Sequence, residues 1–427
     1  MQQRAAARSS IKRREIYFML LNTTFRAFRH RDYLIYWLGL FLGHTGTLVQ
    51  TTAQTWLIFQ LTHSTFYLGL EGLCLGLPRV LFSAFGGAVV DRTDRKTIFV
   101  LTQSAFVLMA LFLGVMHHFE LIQVWHLLMV SACTGFLVSF EQPVRQSILH
   151  HLVPREDLPN AVTLYQMVFN GSMLFGPSIG GLLIPIIDTK GCFFLSTIGN
   201  LLVLVTIFLI HISPTETKAE KTSITRDMVE GLKLAWNTPI FLALLTVLAV
   251  VSFCTKPYTQ FMPVFAQTIL HVGAPGLGML LMAPGAGAIL GGLTLASVRN
   301  FPKPARLLLV LASGFGVSIS LFATSRSFPL SLVFLFIAGG FQTTFLSSVA
   351  TLLQFHTSEQ NRGRIMSMFG LINRGLGPMG SFPFGLIATW IGAPWTVAIC
   401  GMLTISLVGY VVNYRTALRN AKAVGEA

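Results

Sequence analysis

The feature that most constrains this chain is the recurrence of apolar stretches long enough to cross a bilayer, separated by short polar turns. A spanning helix needs about 20 apolar residues, and twelve stretches qualify: near 33–59, 66–90, 97–118, 121–146, 159–186, 191–212, 239–265, 275–298, 306–325, 328–354, 364–391 and 394–414. Backbone polar groups inside lipid must be satisfied within the protein, which bundled helices achieve. Hydrophobic residues fill 53% of the 427 positions and charged residues only 11%, too little polar surface to wet a soluble globule of this size. The sequence predicts an all-α membrane protein of twelve transmembrane helices.

The formal charge of +14 would suggest a nucleic-acid partner in a soluble protein, but its distribution reads otherwise. Twenty-five of the thirty Lys and Arg residues fall in segments that this topology places on one side; the other side holds only Lys190 and Arg326. That asymmetry predicts that both termini are cytoplasmic and that the basic residues meet anionic headgroups. The expected location is the cytoplasmic membrane. The first 32 residues show no apolar region followed by a small-residue cleavage site, so the first span is expected to serve as its own uncleaved signal.

One connection is long and polar, dividing the spans six and six. The expected organisation is a basic cytoplasmic segment over 1–32, six-helix bundles over 33–212 and 239–414, a cytoplasmic linker over 213–238 and a tail over 415–427. Within the linker, Thr225 to Trp236 can form a surface helix. The halves echo one another: Pro78 and Gly86-Gly87 reappear as Pro284 and Gly291-Gly292, at offsets of 206 and 205 positions, and Gly176-Pro177 reappears as Gly377-Pro378. Landmarks recurring near half the chain length predict duplicated, pseudo-symmetric bundles. The charges after Gly87 are not echoed, because Ala296-Ser297-Val298-Arg299 stands in their place.

Those charges follow the second span, in Gly86-Gly87-Ala88-Val89-Val90-Asp91-Arg92-Thr93-Asp94-Arg95-Lys96. Alternating acid and base beside helix ends suggests charges placed to pair with each other or with those ends. This loop resembles the signature loop of the major facilitator superfamily, Gly-x-x-x-Asp-Arg-x-x-Arg-Lys/Arg. Gly87, Asp91, Arg92, Arg95 and Lys96 match it position by position, and Asp94 lies among them. The resemblance implies that Asp91, Arg92 and Arg95 latch the second helix to the eleventh and lock an outward-facing state.

The segments 25–37, 56–64, 142–161, 270–281 and 361–368 resemble the branch of macrolide-efflux and enterobactin-exporter-like proteins. Gly171, Gly176, Pro177, Gly180 and Gly181 on the fifth span are similar to an element of the superfamily's proton antiporters, which tilts the expected direction toward export. A Gly-Pro step removes one helix hydrogen bond, and small residues let backbones approach, so these positions, with Gly377 and Pro378, are candidate hinges. Static close packing explains the same residues equally well.

Charged residues within spans usually face a cavity or a partner, which singles out Glu71, Arg79, Glu141, Arg145, Lys256 and Arg374 as pathway candidates. Arg79 and Arg374 lie nearest the midplane and either face the pathway or brace the interface. Glu71 and Lys256 can pair, and Glu141 and Arg145 are spaced for an intrahelical pair. No Asp or Glu occurs between Glu230 and Glu359, so a carboxylate proton relay within the spans must use Glu71 or Glu141, with His44 or His126 as auxiliaries. Tyr36, Gln54, Trp56, Phe136, Phe140, Tyr258, Gln260, Phe341 and Gln342 are candidate linings of a cavity for an amphipathic ligand.

Cys74, Cys133, Cys192, Cys254 and Cys400 lie in apolar spans without metal-ligand spacing and read as packing residues. Neither HExxH nor GxxxxGK[ST] occurs, and the one GxSxG spacing, Gly176-Pro177-Ser178-Ile179-Gly180, lies within the apolar fifth span and not at a strand-to-helix turn, so the sequence supports neither a zinc enzyme, a nucleophile elbow nor an ATP-driven pump. The expected activity is proton-coupled export of small amphipathic or lipophilic compounds, of drug or siderophore type, by alternating access. Catalytic residues, metal and cofactor are expected to be none; the proton gradient supplies energy, and the partners are a small-molecule substrate and the bilayer. The expected working unit is a monomer. Lysophospholipid flipping or solute import on the same fold is the alternative, and a non-transporting sensor a more remote one.

Overall fold

The computed structural model describes residues 25–211, 233–234, 236–297 and 304–414, and among them there is no strand. The first four long helices are α1 (Arg31–Thr62), α2 (Thr65–Arg92), α3 (Arg95–His118) and α4 (Val124–Leu152). The stretch Leu158–Leu209 is broken at Asp188, whose φ of 61° and ψ of 171° are not helical, giving α5 (158–187) and α6 (189–209). Then come α7 (Pro239–Gln260, prolonged by Met262–Val264 and a π turn at Phe265–Ile269), α8 (Gly273–Ser297), α9 (Pro304–Thr324) and α10 (Phe328–His356). The eleventh, α11, runs Glu359–Leu371, passes through a π turn at Ile372–Leu376 and resumes as Gly377–Ile391; α12 is Ala393–Tyr414. The twelve expected spans are therefore twelve helices.

Local chemistry sets where these helices begin and turn. Ser64 Oγ accepts from the Phe66 amide at 3.3 Å and starts α2, while Asp94 Oδ2 accepts from the Thr97 amide at 2.9 Å and starts α3. At α4, Gln123 and His126 form a reciprocal capping box, which gives His126 a capping role. Asp188 occupies backbone space nearly reserved for glycine, at a cost of about 1–3 kcal/mol. Its carboxylate offsets this by accepting from the Thr189 amide at 2.6 Å, and Thr189 Oγ1 lies 2.7 Å from His117 Nε2, tying the α5–α6 corner to α3.

The helices alternate between a basic end, where the 93–94 and 153–157 turns lie, and an opposite end. The opposite end carries a scatter of exposed aromatics, including Phe119, Trp125, Trp390 and Trp395, as expected of a belt at a membrane interface. Its backbone also carries the positive-φ residues His63, Glu120, His271, Gly273 and Gly392, which close tight turns.

Internal symmetry is visible in the glycine pairs. A methyl group added at Gly86 would strike the Ser139 carbonyl of α4, and one at Gly291 would strike the Gly340 carbonyl of α10, whereas Gly87 and Gly292 have nothing within 4 Å of that position. In each half the first glycine of the pair lets two backbones touch and the second faces open space.

Core packing is asymmetric along the bundle. At the basic end the first half has its own core around Tyr33, Tyr36, Phe99 and Val203, and the second half has another around Leu244, Leu308, Phe345 and Val408. At the opposite end a single core takes Trp56, Leu57 and Phe193 from the first half together with Phe261, Phe265, Phe322 and Phe384 from the second.

Candidate functional site

The halves meet along two helix pairs, α2 with α11 and α5 with α8. Toward the opposite end, a methyl group at Gly72 would sit 2.7 Å from the Pro378 carbonyl oxygen, one at Gly385 would sit 2.9 Å from Gly69 Cα, and Thr65 Oγ1 donates to the Gly385 carbonyl at 3.2 Å. On the other seam a methyl at Gly181 would lie 2.5 Å from the Ala274 carbonyl oxygen and 2.6 Å from Gly278 Cα. The last such contact of α2 with α11 toward the basic end pairs Gly375 with Val80, at 2.5 Å from Val80 Cγ2. Beyond it, a methyl group added at Gly87, Gly363 or Gly370 would meet nothing within 4 Å.

A polar cluster crosses the closed region. Glu71 is 4% exposed; its Oε1 accepts from Gln54 Nε2 at 3.3 Å and its Oε2 from Gln260 Nε2 at 2.7 Å. Gln54 also donates to Ser131 Oγ at 2.6 Å and to the Leu127 carbonyl at 3.1 Å. Gln54 and Ser131 belong to the first half and Gln260 to the second, so one carboxylate joins them. The Lys256 side chain, the partner expected for Glu71, lies outside the described residues; the described partners are the two glutamines.

A second cluster lies nearer the basic end. Glu141 and Arg145 form the expected i,i+4 ion pair, and Gln103 on α3 donates to Glu141 as well. Tyr36 donates to the Arg145 carbonyl at 3.2 Å. Arg79 reaches Gln142 Oε1 at 3.4 Å, and Ser139 Oγ donates to the Arg79 carbonyl at 3.3 Å. Arg374 is presented by the π turn of α11. Pro378 has no N–H to give the Arg374 carbonyl four residues back, which favours a widened turn there, a geometry common at functional sites. Arg374 stands within electrostatic reach of Arg79 and of Tyr165 on α5.

The candidate hinge residues act as contact surfaces in this conformation. Gly171, Gly176 and Gly180 face Phe41, Leu48 and Thr52 of α1, at 3.1, 2.6 and 3.1 Å from where their Cβ atoms would be, and Gly181 with Pro177 meets Gly278 of α8. Gly377 and Pro378 follow the π turn directly, so the break expected on α11 lies just before them.

In the signature loop, Asp94 caps α3, Arg95 Nη1 lies 2.7 Å from His151 Nε2, and Lys96 stands over the Phe208 ring at 5.7 Å. All three partners belong to the first half, so these residues do not bridge to α11 in this conformation. The side chains of Asp91 and Arg92 lie outside the described residues. Partial burial pushes the Asp94 carboxyl up, but hydrogen bonds from Thr97 and the Lys96 backbone outweigh it and hold the group below the usual range.

Several expected cavity residues are packed instead. Tyr36, Trp56 and Tyr258 are buried in hydrophobic cores, because their rings fill the helix-helix contacts there. His44 stacks edge-on against Phe169 at 4.7 Å. Gln103 and Tyr165 belong to the inner cluster and are not among the sequence candidates; an amide within an apolar span is the available signal for Gln103. Among the described residues no group of three or more His, Cys, Asp or Glu is arranged to hold a metal.

Two pseudo-symmetric six-helix bundles, fused at one end and parted at the other around buried charge, define a membrane transporter of the major facilitator fold. The chain belongs to the transmembrane secretion effector family of that superfamily, whose sequence model matches residues 22–426. It is therefore a multi-pass membrane transporter and not an enzyme. Similar curated proteins include the staphyloferrin A transporter of Staphylococcus aureus (strain NCTC 8325 / PS 47), 22% identical over 385 residues covering 89% of this chain and 96% of that one. Macrolide efflux protein A of Streptococcus pyogenes is 24% identical over 390 residues, with 89% and 96% covered, and the enterobactin exporter EntS of Shigella flexneri is 24% identical over 337, with 77% of each. Among solved structures, a bacterial homologue of the human lysosomal transporter Spinster, inward-facing and unoccupied, has a TM-score of 0.65 at 17% identity, covering 91% of this chain and 96% of that one. The nucleoside transporter NupG gives 0.65 at 14% identity, covering 91% and 98%.

Proposed function

We propose that this chain is a secondary active exporter of small amphipathic or lipophilic compounds, of drug or siderophore type, driven by the proton gradient through alternating access. The observation that carries this reading is the one-sided core: a single apolar core joins the halves at the opposite end, and two separate cores leave them parted at the basic end. Rocking the halves about the Val80–Gly375 level exchanges these conditions between the two ends. The basic end is assigned to the cytoplasm by the Lys and Arg distribution, which makes the present conformation inward-facing in the cytoplasmic membrane. The working unit is assigned as a monomer, with residues 33–212 and 239–414 as the moving bodies. The drug and siderophore exporters among its relatives support the direction.

Glu71 is the preferred proton carrier, because its carboxylate bridges the halves, while Glu141 is committed to Arg145 and Gln103 inside one half. Asp91 and Arg92, with Arg95, are assigned to the latch that forms when the basic end closes. The test is transport into everted membrane vesicles with a panel of dyes, antibiotics and siderophores. Accumulation that collapses with an uncoupler supports proton antiport, and accumulation indifferent to the uncoupler overturns it.

A further inference from the structure

The site just described leaves unexplained why each half places an arginine within its span beside the same helix contact, Arg79 next to Val80 and Arg374 next to Gly375. The Val80–Gly375 contact brings the α2 and α11 backbones together immediately beside Arg79 and Arg374. Among the described ion pairs neither arginine takes part; the hydrogen bond recorded for Arg79 goes to the neutral Gln142. The nearest carboxylate, Glu141, is engaged by Arg145 and Gln103. The other intramembrane carboxylate, Glu71, is closed off by two glutamines.

The second half offers nothing to balance these cations. From Glu230 to Glu359 there is no acidic residue, so α7 to α10 contain none, and Glu359 stands at the basic-end start of α11. A cationic ligand entering from the parted end would find two unpaired cations at the fork and no free carboxylate among the described interior side chains. An anion would find the reverse.

We propose that Arg79 and Arg374 together form the ligand site of this transporter for a small aromatic or amphipathic anion, with carboxylate oxygens bound at the fork between α2 and α11. Arg79 belongs to the first half and Arg374 to the second, so a ligand touching both is held by both moving bodies. An oxyanion between them also relieves the repulsion of two like charges, which lowers the cost of bringing the basic ends together. Guanidinium groups suit the task, because their planar fork binds a carboxylate bidentately and stays charged. The inference rests on the transporter reading and adds the charge class of its substrate.

The experiment uses the full chain purified in detergent, with carboxyfluorescein as the anionic probe and ethidium as a planar cationic one, both followed by fluorescence polarisation. Carboxyfluorescein is expected to bind and to be displaced by excess citrate, while ethidium does not compete. Arg79→Gln and Arg374→Gln are each expected to weaken carboxyfluorescein by about tenfold or more, as for loss of one charge-assisted hydrogen-bonding partner. R79K and R374K should recover part of that loss, and Arg326→Gln, at a distant turn, should change nothing. Preferential ethidium binding, or unaltered carboxyfluorescein binding in the double Gln variant, overturns the proposal. If the Gln variants do not fold, citrate competition on the unaltered chain decides: displacement supports the site, and its failure overturns it. Arginine-dependent anion binding without proton-driven export in vesicles overturns the exporter reading alone, and proton-driven export of ethidium without anion binding overturns this inference alone.

Discussion

Gln260 Nε2 on α7 donates to Glu71 Oε2 on α2 at 2.7 Å, so a single carboxylate oxygen carries a hydrogen bond from one half of the transporter to the other. The same carboxylate is held from behind by Gln54, which makes it part of the first half. A hydrogen bond to a charged group contributes about 1.5–3 kcal/mol. Gln260→Leu removes the crossing partner without touching the charge. The expected outcome is a shift of about tenfold or more toward the state open at the opposite end, read as faster labelling by an impermeant thiol reagent of a cysteine placed at Thr62. Unchanged labelling would remove the bond from the closure.

Closure of the opposite end also depends on the absence of side chains. Gly72→Val places a branched side chain where a methyl group alone would lie 2.7 Å from the Pro378 carbonyl. Backbone cannot yield as a flexible side chain can, so this variant is expected to insert normally, to lose most transport and to stay labelled at the opposite end in all conditions. Transport near the wild-type rate would show that α2 and α11 need not approach so closely.

The signature loop gives a contrasting expectation. Gly87 has open space around it in the present conformation, so Gly87→Ala should leave thermal stability within about 0.5 kcal/mol, as at surface positions, when measured on the purified protein in this conformation. If the latch forms in the other state, the same variant slows transport. Asp91→Asn is likewise expected to impair transport without blocking insertion, checked by membrane abundance beside vesicle uptake. Full activity of D91N would reduce the loop to a topology marker.

Asp94 separates a structural from a gating role within that loop. Asp94→Ala removes the α3 cap and is expected to cost about 1 kcal/mol, whereas Asp94→Asn keeps the cap and most of the stability near neutral pH. The Asp94 carboxyl is held below its usual range, so its charge-dependent contribution is fully present above the unfolded value and lost as pH falls through the folded one. Because the group is exposed, solvent screening keeps that contribution small. Thermal melts of wild type and D94N should differ slightly near neutral pH and converge as the pH drops into the acid range. A constant difference at all pH values would contradict the assignment.

Apolar length, the grouping of Lys and Arg and the recurrence of Pro78 with Gly86-Gly87 as Pro284 with Gly291-Gly292 determined, without any coordinates, twelve helices in two related halves. These are local or periodic properties: each helix satisfies its own backbone, so its existence is written in its own residues. The pair Glu141–Arg145 was legible for the same reason, being four residues apart on one helix. What only the tertiary structure decided are contacts between residues far apart in sequence. It gave Glu71 a partner in Gln260, set Gln103 beside Glu141, packed Tyr36 and Trp56 into cores and set Arg79 and Arg374 beside the contact of α2 with α11. None of these follows from periodicity, because the face a spanning helix turns to its neighbours depends on how all twelve pack. In a chain whose lipid-facing and core-facing residues are equally apolar, the sequence leaves that face unmarked.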